Sequence, residues 1–321
     1  MKILITGISG QDGIFLTKLI REEYSSFNVV GTSRTLSSSQ FLEKIGISEL
    51  KKNQVINTIN LNLENEHKVS EFISDFSPNM VFNLTGPSSV NESIKNPVLE
   101  NKITKIFDNL INGLLKSRNL CNFYQASTSE MYGLNNKLIT YSETSEFIPN
   151  SPYASGKLSN HKKISDIKNQ YDWNIYSGIM FNHESEYRKN EFLLMKIISS
   201  AYKIKNNKQF TLKLGSLDYC RDWSYAEDIA EGLMLLATEG SDFDYVLGSG
   251  VGTKIENLVD IIFKIYNLNY KNYIEIDQNI LRPNDPKTII SNPSKIYKEL
   301  GWRTKHTVEN FIEKIIKNLN Y

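Results

Sequence analysis

Met1-Lys2-Ile3-Leu4-Ile5-Thr6-Gly7-Ile8-Ser9-Gly10-Gln11-Asp12-Gly13 decides the fold. A short apolar run ends at Thr6-Gly7, and glycines then recur at three-residue spacing before a helical pattern over 12–24. The apolar run reads as a buried strand and the glycines as its turn into the helix. At the carboxyl end of a parallel strand, glycines let the backbone approach a pyrophosphate. The helix amino terminus then directs free N–H groups and a partial positive charge at it. The spacing differs from the GxGxxG of many dehydrogenases, so the strand-to-helix setting argues against a plain tight turn.

Working outward, Val29-Val30-Gly31-Thr32 forms a second strand and completes a βαβ unit. A helix near 66–76, a strand over 80–84, a helix near 98–118 and a strand over 122–126 continue the alternation. A helix over 154–170 and a strand over 173–179 follow. This rhythm predicts an α/β fold: a doubly wound parallel Rossmann sheet with a smaller C-terminal α/β substrate lobe. The division expected is a cofactor-binding domain over 1–180, completed by residues 220–250, and a mainly substrate-binding lobe over 181–321. The stretch from Arg34 to Lys52 reads as a polar, basic loop.

The chain of 321 residues carries 37 basic and 36 acidic side chains, so its net charge of +1 offers no overall field to nucleic acid or an anionic membrane. An anionic ligand therefore has to meet a local site. The 2 cysteines, Cys121 and Cys220, lie far apart with no CxxC or His/Cys cluster, which supports neither a disulfide framework nor a metal site. The first residues form an apolar strand rather than a secretory signal, and no apolar run reaches membrane-spanning length. A reducing cytoplasm is the expected location.

Two further stretches carry chemistry. An NAD site usually has an acid at the end of the second strand to hold the ribose 2′-hydroxyl, whereas Ser33-Arg34-Thr35 offers a cation and two hydroxyls suited to a 2′-phosphate. NADP is the expected cofactor. After the strand at 122–126, Ser127-Thr128-Ser129-Glu130-Met131-Tyr132-Gly133 puts hydroxyls and a carboxylate where open α/β sheets bind ligands. Tyr153 and Lys157 then share a helix face one turn apart, a spacing that would let an ammonium lower the pKa of a phenol and make it a base.

At this point the sequence resembles the extended short-chain dehydrogenase/reductase family and, within it, the GDP-mannose 4,6-dehydratases. The stretches that carry the resemblance are residues 5–13, 123–133, Ser151-Pro152-Tyr153-Ala154, Phe181-Asn182-His183-Glu184-Ser185, Arg221-Asp222-Trp223, and Arg282-Pro283 leading to Gly301-Trp302. The resemblance implies a catalytic set of Thr128, Ser129, Glu130, Tyr153 and Lys157. It assigns cofactor contacts to Gly7, Gly10, Gln11, Asp12, Gly13, Arg34, Leu63, Leu84, Gly86 and His183, besides Tyr153 and Lys157. It assigns substrate contacts to Ser88, Asn182, Arg188, Leu193, Lys196, Arg221, Arg282 and Asp285. No metal is implied, and a homodimer or homotetramer is expected.

The implied reaction is loss of water from a GDP-linked hexose, GDP-D-mannose by default, with transient hydride transfer to tightly bound NADP. The sequence departs from the family pattern at Ser89, where a histidine is usual, at Glu191 and Leu193, and at Thr35, where a second cofactor arginine is usual. These departures bear on the hexose and leave GDP-N-acetylglucosamine and a GDP-heptose as alternatives. An epimerase or 4-keto reductase would share Tyr153 and Lys157 but has no need of Glu130. A silent NADP-binding sensor is the non-enzymatic alternative. For Arg221, the competing reading is a simple ion pair with Asp222.

Overall fold

A computed structural model of the chain describes residues 1–24, 26–48, 50, 54–87, 89–134, 139–206, 210–281, 285–319 and 321. Ser88 and Arg282, both assigned to substrate by the sequence, lie outside the described residues. In chain order the first half contains β1 (Lys2–Thr6), α1 (Gln11–Glu23), β2 (Asn28–Thr32), α2 (Ser38–Lys44), β3 (Val55–Ile59), α3 (Glu66–Phe76), β4 (Met80–Asn83), α4 (Val90–Lys95), α5 (Leu99–Lys116), β5 (Asn122–Thr128), β6 (Thr140–Tyr141) and α6 (Pro152–Tyr171). The second half contains β7 (Ile175–Met180), β8 (Asn182–Glu184), α7 (Leu193–Lys205), β9 (Leu212–Leu214), β10 (Cys220–Tyr225), α8 (Ala226–Glu239), β11 (Asp244–Leu247), β12 (Gly252–Lys254), α9 (Ile255–Ile265), β13 (Ile274–Ile276), β14 (Thr288–Ser291), α10 (Ser294–Leu300) and α11 (Val308–Asn318).

Among the described residues, the larger sheet has seven strands in the order β11-β7-β5-β4-β1-β2-β3, every pair parallel. The chain runs outward from β1 to β3 and then returns to β4 beside β1, so the direction of winding reverses between these two strands. A crevice at their carboxyl ends follows. Both faces are covered, which explains why β4 and β7 are buried at every position. Leu4, Val81 and Phe123 face α3, α5 and α6 on one side, while Ile3, Ile5 and Phe82 face the core shared with α1 and α8.

The turn between β1 and α1 depends on two of its glycines. Gly7 has a φ of +71°, a conformation that strains residues with a Cβ. A Cβ on Gly13 would stand 2.6 Å from both Cα and O of Ile8. That close approach seats α1 against the end of β1.

The smaller lobe is built on a second sheet, β12-β10-β14-β6, with β8 also paired to β10. Its members come from 140 to 291, interleaved with strands of the larger sheet: β11 at 244–247 lies beside β7. The two lobes share one core. Trp223 and Tyr225 on β10 are buried with Ile14 and Phe15 of α1, and the rings of Phe15 and Tyr225 meet edge to face at 5.3 Å.

The stretch expected to be a loop from Arg34 to Lys52 departs from that reading. Residues 38–44 form α2, started by a capping box in which Ser37 Oγ accepts from Gln40 N and the Gln40 side chain accepts from Ser37 N. Phe41, Ile45 and Ile47 are buried against the protein's own core. No helix among the described residues is long and apolar enough to cross a membrane.

Candidate active site

A cleft of about 750 Å³ opens where the carboxyl ends of β4, β5 and β7 face the second sheet. Its size suits a small-molecule site. Thr128, Ser129, Glu130, Tyr153 and Lys157 all line it, so the catalytic residues expected from sequence meet in one place. Local structure explains the meeting. Thr128 ends β5 and its Oγ1 accepts from Glu130 N at 3.3 Å, which turns the chain sharply after the strand. Ser151 caps α6 by accepting from Ala154 N, and Pro152 occupies the first turn, where a missing N–H costs nothing. Tyr153 and Lys157 therefore sit on one face of the first turns of α6, against β5.

The electrostatics differ from the sequence reading. Lys157 was expected to lower the pKa of Tyr153. In the protein, burial pushes the phenol up to about 12, with only partial relief from a side-chain hydrogen bond to Thr128. Burial also brings Lys157 down to about 8. Its Nζ donates to Ala126 O at 2.7 Å and stands 5.8 Å from the centre of the Tyr153 ring. Desolvation is the largest cause for both groups. Ser93, which the sequence reading missed, holds the other end of the tyrosine: its buried Oγ accepts from Tyr153 N at 3.2 Å. The signal was not legible, because 60 residues separate the partners.

The residues expected to hold the cofactor divide into two groups. Leu84, Gly86, Asp12 and His183 line the cleft. Arg34 is exposed at the end of β2, and the free N–H groups of α1 follow Gly10. This fits a dinucleotide laid across the β1/β2 ends, with its reactive end beside Lys157. Gln11, in contrast, directs its side chain into the protein. Its Nε2 donates to His183 O at 2.9 Å and its Oε1 accepts from Ser185 Oγ at 2.9 Å. Both amide atoms are thus taken by the segment after β7. Leu63 likewise turns its side chain into the core under the opposite face, and its carbonyl accepts from Asn109 Nδ2.

Asp12 and His183 form a second link of this kind. His183 Nδ1 donates to Phe181 O at 2.7 Å, while Nε2 stands 3.0 Å from Asp12 Oδ1. Both ring nitrogens face acceptors, which favours the imidazolium. Burial alone would lower the His183 pKa, but the Asp12 carboxylate more than reverses it and leaves it raised. Asp12 is held below the usual carboxylate range by the same partner, against the effect of burial.

Of the residues expected to hold substrate, Asn182, Arg188, Leu193, Lys196, Arg221 and Asp285 line the same cleft. Arg188 lies over the Phe192 ring at 3.7 Å, with Nε 3.7 Å from Glu184 Oε2. Lys196 Nζ donates to Lys213 O at 2.8 Å. Arg221 pairs with Asp285 at 3.0 Å rather than with Asp222, and also donates to the carbonyls of Cys220 and Lys287. Asp222 is turned away: its buried carboxylate accepts from Ser249, Gly250 and Ser291. Successive residues of a strand point to opposite faces, so the Arg221–Asp222 reading fails on geometry. Ser89, one of the departures, caps α4 by accepting from Glu92 N. No group of His, Cys, Asp and Glu able to hold a metal occurs among the described residues.

The family model for GDP-mannose 4,6 dehydratase matches residues 4–315. The chain belongs to that family. Among its relatives, GDP-mannose 4,6 dehydratase 2 of Arabidopsis thaliana is 30% identical over 320 residues, covering 98% of this chain and 85% of the relative. The GDP-mannose 4,6-dehydratase of Sinorhizobium fredii (strain HH103) is 28% identical, covering 99% and 96%. The fold is shared more widely than the family. A UDP-glucose 4-epimerase from Thermotoga maritima superposes with a TM-score of 0.85 at 20% identity, covering 100% of this chain and 99% of the other. A dTDP-glucose 4,6-dehydratase from Bacillus anthracis, in complex with NAD, gives 0.84 at 19%, covering 99% and 96%.

Proposed function

We propose that the protein is a GDP-sugar 4,6-dehydratase that uses bound NADP and takes GDP-D-mannose by default. The observation that carries this reading is the position of Glu130 in one cleft with Thr128, Tyr153 and Lys157. An epimerase or reductase needs a proton acceptor for the sugar 4-hydroxyl, whereas a dehydratase also needs a carboxylate for C5. Lys196 and Arg221, which line the same cleft, are suited to a diphosphate, and Asp285 beside Arg221 to the hydroxyl groups of a nucleoside.

NADP, when bound, supplies the acceptor and donor of hydride. The remaining steps belong to the chain. Tyr153 takes the proton of the sugar 4-hydroxyl, and Lys157 supplies the nearby positive charge that favours the phenolate. Thr128 hydrogen-bonds the phenol and fixes its direction. With a ketone at C4 the C5 hydrogen becomes acidic, and Glu130 removes it. The C6 hydroxyl then leaves as water, protonated by Glu130 or through Ser129.

A mass-spectrometric screen of GDP-, UDP- and dTDP-sugars for loss of one water tests the proposal. Turnover is expected with a GDP-hexose. Turnover confined to UDP- or dTDP-sugars would overturn the nucleotide assignment, and epimerisation without water loss would overturn the reaction. A reducing cytoplasm remains part of this reading, consistent with the free thiols of Cys121 and Cys220. So does assembly into a dimer or tetramer, on family resemblance. Light scattering showing only a 36.8 kDa species would remove it.

A further inference from the structure

The sequence leaves one charge unaccounted for at the cofactor site. At the end of β2, Arg34 stands beside an uncharged Thr35, so a single cation is available there. The structure brings a second from elsewhere. The capping box at Ser37 and the buried Phe41 and Ile45 fix α2 against the core, and its last residue, Lys44, reaches back over the glycine turn. Lys44 Nζ donates to Ser9 O at 3.2 Å.

Ser9 lies between Gly7 and Gly10 of the phosphate-binding turn. The turn is tied to the end of β2, because Gly7 N donates to Thr32 Oγ1 at 3.0 Å. Lys44, held on the turn after β1, and Arg34, two residues beyond β2, therefore both stand at the carboxyl ends of adjacent parallel strands. That is where a Rossmann fold seats the adenosine ribose. Both side chains remain accessible. Among the described residues, Lys44 makes no ion pair with a carboxylate, and its partial loss of solvent holds its pKa below the ordinary lysine value. A cation resting on a neutral carbonyl is readily drawn onto an anion.

We propose that Lys44 acts with Arg34 to bind the 2′-phosphate of the cofactor, standing in for the missing cation at position 35. This rests on the reading that the cofactor is NADP. Lys44 is thereby a specificity-determining residue with no counterpart in the local sequence of the β2 end. It acts through its charge, so arginine should replace it and glutamine should not.

The test is equilibrium binding of two fragments to the full-length, nucleotide-free protein: adenosine 2′,5′-bisphosphate and adenosine 5′-monophosphate. They share the adenosine and the 5′-phosphate and differ only in the 2′-phosphate. The wild type is expected to prefer the bisphosphate. Lys44→Gln should weaken the bisphosphate about tenfold, as loss of one charge-assisted contact does, and leave the monophosphate within about twofold. Lys44→Arg should restore the preference. Equal weakening of both fragments would place Lys44 on the 5′-phosphate or on the turn and overturn the proposal, as would no weakening of either. A wild type without preference for the bisphosphate would overturn the NADP reading itself, which separates that failure from failure of the Lys44 assignment alone. Lys44 is a surface residue, and unchanged thermal unfolding of both variants confirms that binding rather than folding is read.

Discussion

On the proposed mechanism Tyr153 and Glu130 divide the proton transfers between them, and their variants should fail in different ways. Tyr153→Phe removes the acceptor for the 4-hydroxyl proton, so neither dehydrated sugar nor a near-ultraviolet band of reduced nicotinamide should appear. Glu130→Gln keeps the shape but cannot accept the C5 proton. The near-ultraviolet band should build up in a single turnover while water loss falls by about two to four orders of magnitude. Near-normal water loss from Glu130→Gln would make the carboxylate structural. A second residue-scale expectation comes from the buried His161, one turn beyond Lys157 on α6. Ser177 Oγ donates to Ser127 Oγ, so it accepts from His161 Nδ1, and the bare Nε2 faces Asp244 Oδ2 at 3.5 Å. Below about pH 6 a protonated Asp244 completes this chain; above it the carboxylate pairs with Lys295 at 3.2 Å. Burial agrees, bringing His161 down to about 4 and raising Asp244 to about 6. The raised carboxyl stabilises the fold in acid and loses that contribution as pH rises through about 6, whereas neutral His161 stabilises above pH 6.5 and loses its share as pH falls toward about 4. The two slopes oppose each other between those values. Asp244→Asn removes only the first, so relative to wild type it should lose on the order of 2–3 kcal/mol between pH 7 and pH 4 in urea titrations. A difference that stays constant with pH would mean that no proton is held there.

Among the elements, β1, its turn and α1 show how much a local pattern can reveal. Gly13→Ala tests the close approach: its Cβ would meet the Ile8 backbone rather than a side chain that can swing aside. Destabilisation of about 1–3 kcal/mol is expected in denaturant titrations, together with weakened nucleotide binding. Full tolerance would show that α1 can shift without consequence for the site. The glycine turn, the alternating strands and Tyr153 with Lys157 were legible because each is encoded within a few residues. α2 was not: its helix is short, its face is serine-rich, and the buried Phe41, Ile45 and Ile47 follow no sustained helical spacing. The links Gln11–Ser185 and Asp12–His183 join residues more than 170 positions apart, beyond the reach of any local pattern. The same holds for Arg221, whose partner 64 residues away was hidden behind an adjacent aspartate. The second sheet eluded the reading because its strands are two to six residues long, too short for periodicity to register.

For the molecule as a whole, the outermost strand beside β7 enters the larger sheet late in the chain. β7 is buried at all six positions and receives its outer neighbour, β11, only at 244–247. A polypeptide emerging from the ribosome therefore completes β7 well before the strand that covers its edge. Until then Ile175–Met180 presents unpaired backbone groups on an apolar strand, the situation most prone to pairing with a second chain. A fragment ending at residue 240 should be made largely as insoluble material, and one ending at 250 should be markedly more soluble under the same expression conditions. Equal solubility would mean that other contacts shield the strand. The interval between those two points of synthesis is the window in which a chaperone that recognises exposed strands would have work to do.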